Sequence, residues 1–286
     1  MKKLTGIAAG TAMFILAISI TRCSNKKDNT VTPPAPLVQL QTSATLGKYL
    51  SDQTGHALYF FSNDANGQVS CTGGCAGVWP PFNLSGLTAT QIASGLNIAD
   101  FGSKGSQITY KGWPLYTYSP TAGTPEPAGG TTGDNVGGIW FVAKPDYTIM
   151  LANTQLVGKD GNSYKSDYTV GTASTIYFTD AKGLTLYVFK KDSANLNKFT
   201  KSDFSNNATF PIYDTTLIVV PSALDKTQFS SSTNVFGKPQ LSYKGWPLYY
   251  YGGDSSRRAF TTGITIGGIG TVWPVAVAGL TAAPHQ

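Results

Sequence analysis

Few side chains in this sequence have the type and spacing to do chemistry. Cys71 and Cys75 enclose Thr-Gly-Gly. Such a pair can close a small disulfide, cycle as a redox dithiol, or lend two thiolates to a metal. A metal would need two further soft ligands, which the flanking sequence does not supply. The 2 histidines, His56 and His285, stand outside any Gly-x-Ser-x-Gly, His-Glu-x-x-His or Cys-x-x-Cys-His run. General acid–base catalysis leans on histidine, so no enzyme, cofactor or metal is expected. Asp64, Asp192 and Asp254 each follow two aromatics and are the best remaining polar candidates. Short acidic side chains at strand ends bond the turn that follows. The alternative is calcium held by these oxygens together with Asp134, although no Asp-x-Asp-x-Asp loop gathers them. Lys111 beside Trp113, and Lys244 beside Trp246, are candidates for a surface binding site. Trp79, Trp140 and Trp273 read as core, because buried indoles remove large areas from water.

The start of the chain decides the compartment. Lys2 and Lys3 precede an uncharged apolar stretch, Leu4 to Ile20, so residues 1–22 read as an export signal. It closes on Ile20-Thr21-Arg22-Cys23, similar to a lipoprotein signal that is cut before a cysteine destined for lipid. Arg22 departs from the small residue such sites carry. Cys23 is thus the expected lipid anchor and the membrane the expected first partner. Residues 23–42, with Pro33, Pro34 and Pro36, read as a solvated tether. Ser24 resembles the residue that sends lipoproteins on to the outer membrane of a Gram-negative envelope. In such an oxidising compartment Cys71 and Cys75 are expected to pair, pinning a loop before Trp79. A redox or electron-transfer role for them is the rival reading. The formal charge is +6, but Lys2, Lys3 and Arg22 are among its 21 basic residues, set against 15 acidic ones. No basic run follows Cys23, so nothing marks a nucleic-acid surface.

What positions these residues is an internal repeat. Tyr110-Lys-Gly-Trp-Pro-Leu-Tyr116 recurs residue for residue as Tyr243 to Tyr249. Upstream, Tyr49, Asp52, Gly55, Leu58, Tyr59, Phe61 and Asp64 return in order as Tyr177, Asp180, Gly183, Leu186, Tyr187, Phe189 and Asp192. Ordered landmarks with small spacing changes mean duplication with loop insertions. Only 13% of residues are charged, against a usual share of about 25%, and Gly, Thr and aromatics fill the gap. That mixture favours turn-rich β structure. Asp52-Gln-Thr-Gly55 and Asp180-Ala-Lys-Gly183 read as turns, Lys111-Gly112 as a two-residue hairpin turn with Tyr110 opposite Trp113. Leu58 and Phe60 should face one side and Tyr59 and Phe61 the other, giving strands covered on both faces. Pro114 should lie at an edge or bulge. Short helices are expected at 88–94 and 222–229, and a further hairpin around Lys159-Asp-Gly-Asn162. The expected fold is all-β: two tandem hairpin-built domains, sandwich or barrel-like, at 43–152 and 172–280. A junction hairpin (153–171) and a short tail (281–286) complete the chain.

These residues resemble a known group, the secreted-repeat lipoproteins with a Tyr-x-(Phe/Trp/Tyr)-x-x-Asp motif. Tyr59/Phe61/Asp64, Tyr187/Phe189/Asp192 and Tyr249/Tyr251/Asp254 fit it, and a fourth copy at Tyr116 and Tyr118 has Thr121 in place of the acid. The group's Cys-x-Gly-x-Cys-Ala-x-x-Trp-Pro-Pro run is complete from Cys71 to Pro81, and its Thr-Gly-Asp-x-Val-Gly-Gly-x-Trp run from Thr132 to Trp140. In the second copy no cysteines follow Thr200, Phe210-Pro211 stands for Trp-Pro, and Ile264 replaces Asp134. The resemblance implies no activity. The expected function is an exported, lipid-anchored envelope protein that binds or scaffolds an envelope or extracellular ligand.

Overall fold

The glycine turns and alternating aromatics organise short antiparallel strands. The computed structural model describes residues 35–121 and 123–285. In the first copy the strands are β1 (Val38–Ser43), β2 (Gly47–Asp52), β3 (Tyr59–Phe61), β4 (Phe101–Lys104), β5 (Gln107–Tyr110), β6 (Trp113–Pro114) and β7 (Trp140–Val142). They continue as β8 (Met150–Val157), β9 (Ser163–Tyr164), β10 (Ser174–Thr179), β11 (Tyr187–Val188), β12 (Phe229–Val235), β13 (Lys238–Tyr243) and β14 (Trp246–Tyr249). One short helix, α1 (Gly74–Val78), and several single 3-10 turns interrupt them. The protein is all-β.

The duplication is visible in the pairing. β1–β2 in the first copy corresponds to β8–β10 in the second. Leu50 N–H donates to Ala143 O (2.8 Å) as Phe178 N–H donates to Ala276 O (2.8 Å). In the second copy β11, β14, β13 and β12 form one sheet, with Tyr187 of β11 also bridged to Val275. The first copy repeats that order in pieces: β7 beside β3, β3 bridged at Tyr59 to Tyr116, and β6, β5 and β4 beyond. Pro114 lies in β6, the outer strand of its three-stranded sheet. Its counterpart Pro247 lies in an inner strand, just before β14 gains β11 as a second neighbour at Leu248. There the missing N–H faces a position not yet paired.

The domain expectation needs redrawing. The repeat spacing divides residues 150–157 between the first domain and the junction, but Met150–Gln155 of β8 pair with β10, which belongs to the second copy. Pairing therefore starts the second copy at Met150. The hairpin at Lys159–Asn162 is an insertion that replaces the tight Ser43–Gly47 turn of the first copy and adds β9 to the outer side of β8. The described residues cluster as one unit. One apolar cluster takes side chains from both copies, among them Leu58, Trp113, Tyr187 and Tyr249. A second joins Phe141 and Ile149 to Phe178, Tyr243 and Trp246. The strand faces divide as expected: Leu58 and Phe60 enter the shared cluster, while Tyr59 and Phe61 enter a third one around Trp79 and Trp140. Single 3-10 turns at Ala89–Gln91 and Lys226–Gln228 occupy the expected helical segments.

Candidate functional site

The repeated motif builds a buried lattice of tyrosines and carboxylates. Tyr116 Oη donates to Asp64 Oδ2 (2.5 Å), Tyr249 Oη to Asp192 Oδ2 (2.7 Å), and Tyr187 Oη to Asp254 Oδ2 (2.6 Å). The fourth partnership is Tyr59 Oη with Glu126 Oε1. In each copy the two motifs are thus reciprocal: the acid after the first tyrosine holds the second tyrosine, and the acid after the second holds the first. The second oxygen of each acid accepts from a loop further along. Ser70 N and Oγ reach Asp64 Oδ1 (2.8 and 2.5 Å), Lys198 N reaches Asp192 Oδ1 (2.7 Å), and Thr262 N reaches Asp254 Oδ1 (3.0 Å). Thr132 N reaches Glu126 Oε2 (2.8 Å). Each carboxylate therefore ties its own segment, a distant tyrosine and a returning loop into one knot.

Burial sets the electrostatics of these knots. Desolvation raises Asp64 and Asp254 above the ordinary carboxylate range despite the hydrogen bonds they accept. It pushes Asp192 up to about 7, against the hydrogen bonds from Lys198 and Tyr249 and the charge of Lys198. The partner tyrosines rise as well, through burial and the neighbouring acid. The motif acids therefore do more than end strands. Their oxygens are already engaged by donors, and among the described residues no three His, Cys, Asp or Glu side chains converge. Asp134, the other calcium candidate, accepts from Val142 N (2.9 Å) at the end of β7.

Beside each lattice runs a stack of rings. Phe61, Trp140, Trp79 and Tyr118 stack in succession at 3.9, 3.8 and 4.3 Å between centroids. Phe189, Trp273 and Phe210 repeat the arrangement at 4.5 and 3.5 Å, with Tyr251 tilted against Phe210 at 4.8 Å. Trp79, Trp140 and Trp273 are core residues. Phe210 occupies the place of Trp79, as the Phe-Pro and Trp-Pro pairs imply. In the first copy the loop before Trp79 is closed by the Cys71–Cys75 disulfide, which leads into α1 (Cα–Cα 5.3 Å). The second copy closes the same loop with amides: Asn197 Nδ2 donates to Gln240 Oε1 (2.8 Å) and Asn206 Nδ2 to Phe199 O (2.7 Å).

The duplicated heptapeptides do not form the expected surface. Trp113 and Trp246 are buried, at 0% and 2% exposure, and their indole N–H groups donate to Ala181 O (3.0 Å) and Thr281 O (2.9 Å). Tyr110 faces Trp113 and Tyr243 faces Trp246 across the ladder. The lysine–glycine turns adopt positive φ at both residues, 49° and 80° in the first and 48° and 82° in the second. That is the geometry a two-residue hairpin requires. Each lysine then reaches back over its own tyrosine: Lys111 Nζ donates to Pro145 O (2.6 Å) and Lys244 Nζ to Ala278 O (2.9 Å) and Leu280 O (2.9 Å). Pro145 and Ala278 are equivalent positions. The lysines match because each fastens the turn after the same returning segment to its hairpin.

Sequence reasoning did not single out Glu126, although it is the chain's one glutamate and follows the motif that lacks an aspartate. It also missed Arg258, which has no counterpart in the first copy. Arg258 Nε donates to Ala65 O (3.0 Å), and Nη1 to Lys111 O (2.7 Å) and Lys182 O (2.5 Å), while the guanidinium lies over Trp113. It clasps the two copies. Next to it opens a cleft of about 480 Å³ lined by Asp180, Lys182, Tyr213, Tyr250, Tyr251 and Arg257. Tyr250 Oη donates to Asp180 Oδ2 (3.1 Å), whose Oδ1 accepts Lys182 N (2.8 Å) and Leu184 N (2.9 Å) in the Asp-x-x-Gly turn. Burial raises Asp180 too. This concavity joins tyrosine rings to a cationic rim, which suits a polar ligand with a flat apolar face. His56 lies apart, in the Asp52 turn, with Nδ1 3.1 Å from Asp52 Oδ2.

The expected anchor Cys23 lies outside the described residues. Among those described, no helix is long and apolar enough to cross a membrane. No curated protein and no solved structure matches the chain. A family model described as a secreted repeat of unknown function matches residues 42–83, in the first copy, and 231–277, in the second.

Proposed function

We propose that this exported protein is held to the envelope by lipid on Cys23, at the outer membrane, and acts there by binding or scaffolding without catalysis. The observation that supports the reading is the fate of the motif acids: all four carboxylates of the lattice spend both oxygens on internal donors. Groups held in that way stiffen a platform and are poorly placed to shuttle protons. The cleft bounded by Asp180, Tyr250 and Arg257 is the surface we assign to the ligand.

Two measurements test it. Cells fed a clickable fatty acid should label the wild-type protein and leave Cys23→Ala unlabelled; equal labelling would remove the anchor. The Cys71→Ser, Cys75→Ser double variant should lose about 2 kcal/mol of stability, the scale for a small closed loop, and keep its envelope ligands. A redox carrier would instead show a reversible midpoint potential in the range of working dithiols. Cys71 is 4% exposed and packs with Trp79, which favours the structural role.

A further inference from the structure

A second concavity lies between the β1–β2 turn and the 218–226 segment, remote in sequence from Asp180 and Tyr250. It measures about 660 Å³, and Lys48, Lys144 and Lys226 line it. Asp146 shares the lining but is exposed, leaving an excess of positive charge. Leu46 and Leu224 supply apolar walls.

Lys144 is the unusual member. It is only 8% exposed. Among the described residues no carboxylate lies within salt-bridge distance of its ammonium, since the one such contact is that of His56 with Asp52. Its stem is what is buried; its ammonium lies 5.3 Å from the centre of the Tyr147 ring and opens to the cleft, where nothing within hydrogen-bond reach among the described residues balances its charge. Nor does the fold demand it. Trp140-Phe-Val-Ala-Lys144 corresponds to Trp273-Pro-Val-Ala-Val277, so the second copy fills the same position with valine, partly buried against the core. Desolvation also pulls the Lys144 pKa down, with Lys226 adding repulsion against the opposing effect of Asp134 and Asp146. An anion in the cleft would offset both the partial desolvation of Lys144 and its repulsion by Lys226.

We infer that the Lys48–Lys144–Lys226 cleft binds a phosphate-type anion. Lysines meet phosphate as point charges and need no planar fork, so a pocket with three ammoniums and no arginine suits a compact dianion better than a bidentate carboxylate. The leucine walls would accommodate hydrocarbon attached to it. The inference stands independently of the Asp180 cleft and of lipid on Cys23.

The test uses the full mature chain in a neutral detergent, with three probes at matched ionic strength: inorganic phosphate, water-soluble short-chain phosphatidic acid, and short-chain phosphatidylcholine. Calorimetric titration should detect phosphate, phosphatidic acid or both, and not phosphatidylcholine. Binding of phosphate alone would assign a free ion, and binding of phosphatidic acid alone a lipid headgroup. Lys144→Met keeps an apolar stem, as Val277 does in the second copy, and should weaken the response at least tenfold with the melt retained. Should that variant fail to fold, the exposed pair Lys48→Ala, Lys226→Ala decides, with a loss of several-fold expected. No response to either phosphate probe, or equal responses from wild type and a folded variant, would overturn the proposal.

Discussion

At the scale of single residues, the buried acids make stability depend on pH in an uncommon direction. A carboxylate whose folded pKa is depressed stabilises above its unfolded value. Asp192 is the reverse, raised by burial to about 7 against an unfolded value of about 3.9. Between those values the unfolded chain has lost the proton that the folded protein keeps. Stability should therefore fall as pH rises through this window, by at most about 1.4 kcal/mol per pH unit for this group. Asp64, Asp180 and Asp254 are displaced the same way. Denaturant titrations at pH 5 and pH 8 should show the protein more stable at pH 5, and Asp192→Asn should reduce the difference. Glu126 gives a companion test. Glu126→Ala leaves the Tyr59 hydroxyl and the Thr132 amide without their acceptor, a loss of about 1–3 kcal/mol per unsatisfied group. Thermal unfolding would show it, and a wild-type melt would refute the reciprocal lattice.

At the scale of elements, the hairpin turns show how a strained residue is retained. Lys111 and Lys244 hold positive φ, which asparagine tolerates better. Lys111→Asn should thus relax the turn but release Pro145 O, and the net change is expected to be a destabilisation of up to about 1 kcal/mol. A more stable variant would mean the lysine bond contributes nothing. The loop before Trp79 makes a related point. One copy closes it with a disulfide and the other with asparagine amides, so the aromatic stack needs the loop fixed but not any one way of fixing it.

At the scale of the whole molecule, the copies are interdependent. Arg258 bonds three carbonyls from both copies, and the Trp113 indole donates to Ala181 O in the second copy's turn. Gly183, at φ +80°, lets that turn approach so closely that a Cβ would come within 2.9 Å of Ala65 O. Arg258→Ala is expected to cost roughly 2–3 kcal/mol, because it strands acceptors that now meet a charged donor. The mature chain should unfold in one transition, and either half alone should melt lower and less cooperatively, since it would expose a face of the shared core. Two resolved transitions in the intact chain, one matching each isolated half, would show the copies to be independent.

Sequence alone determined what depends on local order: the duplication, the all-β character, the Asp-x-x-Gly and Lys-Gly turns, the division of Leu58 and Phe60 from Tyr59 and Phe61. Turn chemistry and period-two patterning act over a few residues and can be read there. Tertiary structure decided what depends on distant partners. The motif acids meet tyrosines from other strands, Glu126 replaces an aspartate from five residues beyond the expected Thr121, and Trp113 and Trp246 at their turn tips are covered by segments far along the chain. The boundary between copies moved to Met150 because strand pairing, unlike repeat spacing, is a contact between remote segments. Lys144 shows the limit most clearly. In sequence it is one lysine among 21 basic residues, and only folding reveals that its stem is buried and its ammonium faces a cleft shared with Lys48 and Lys226.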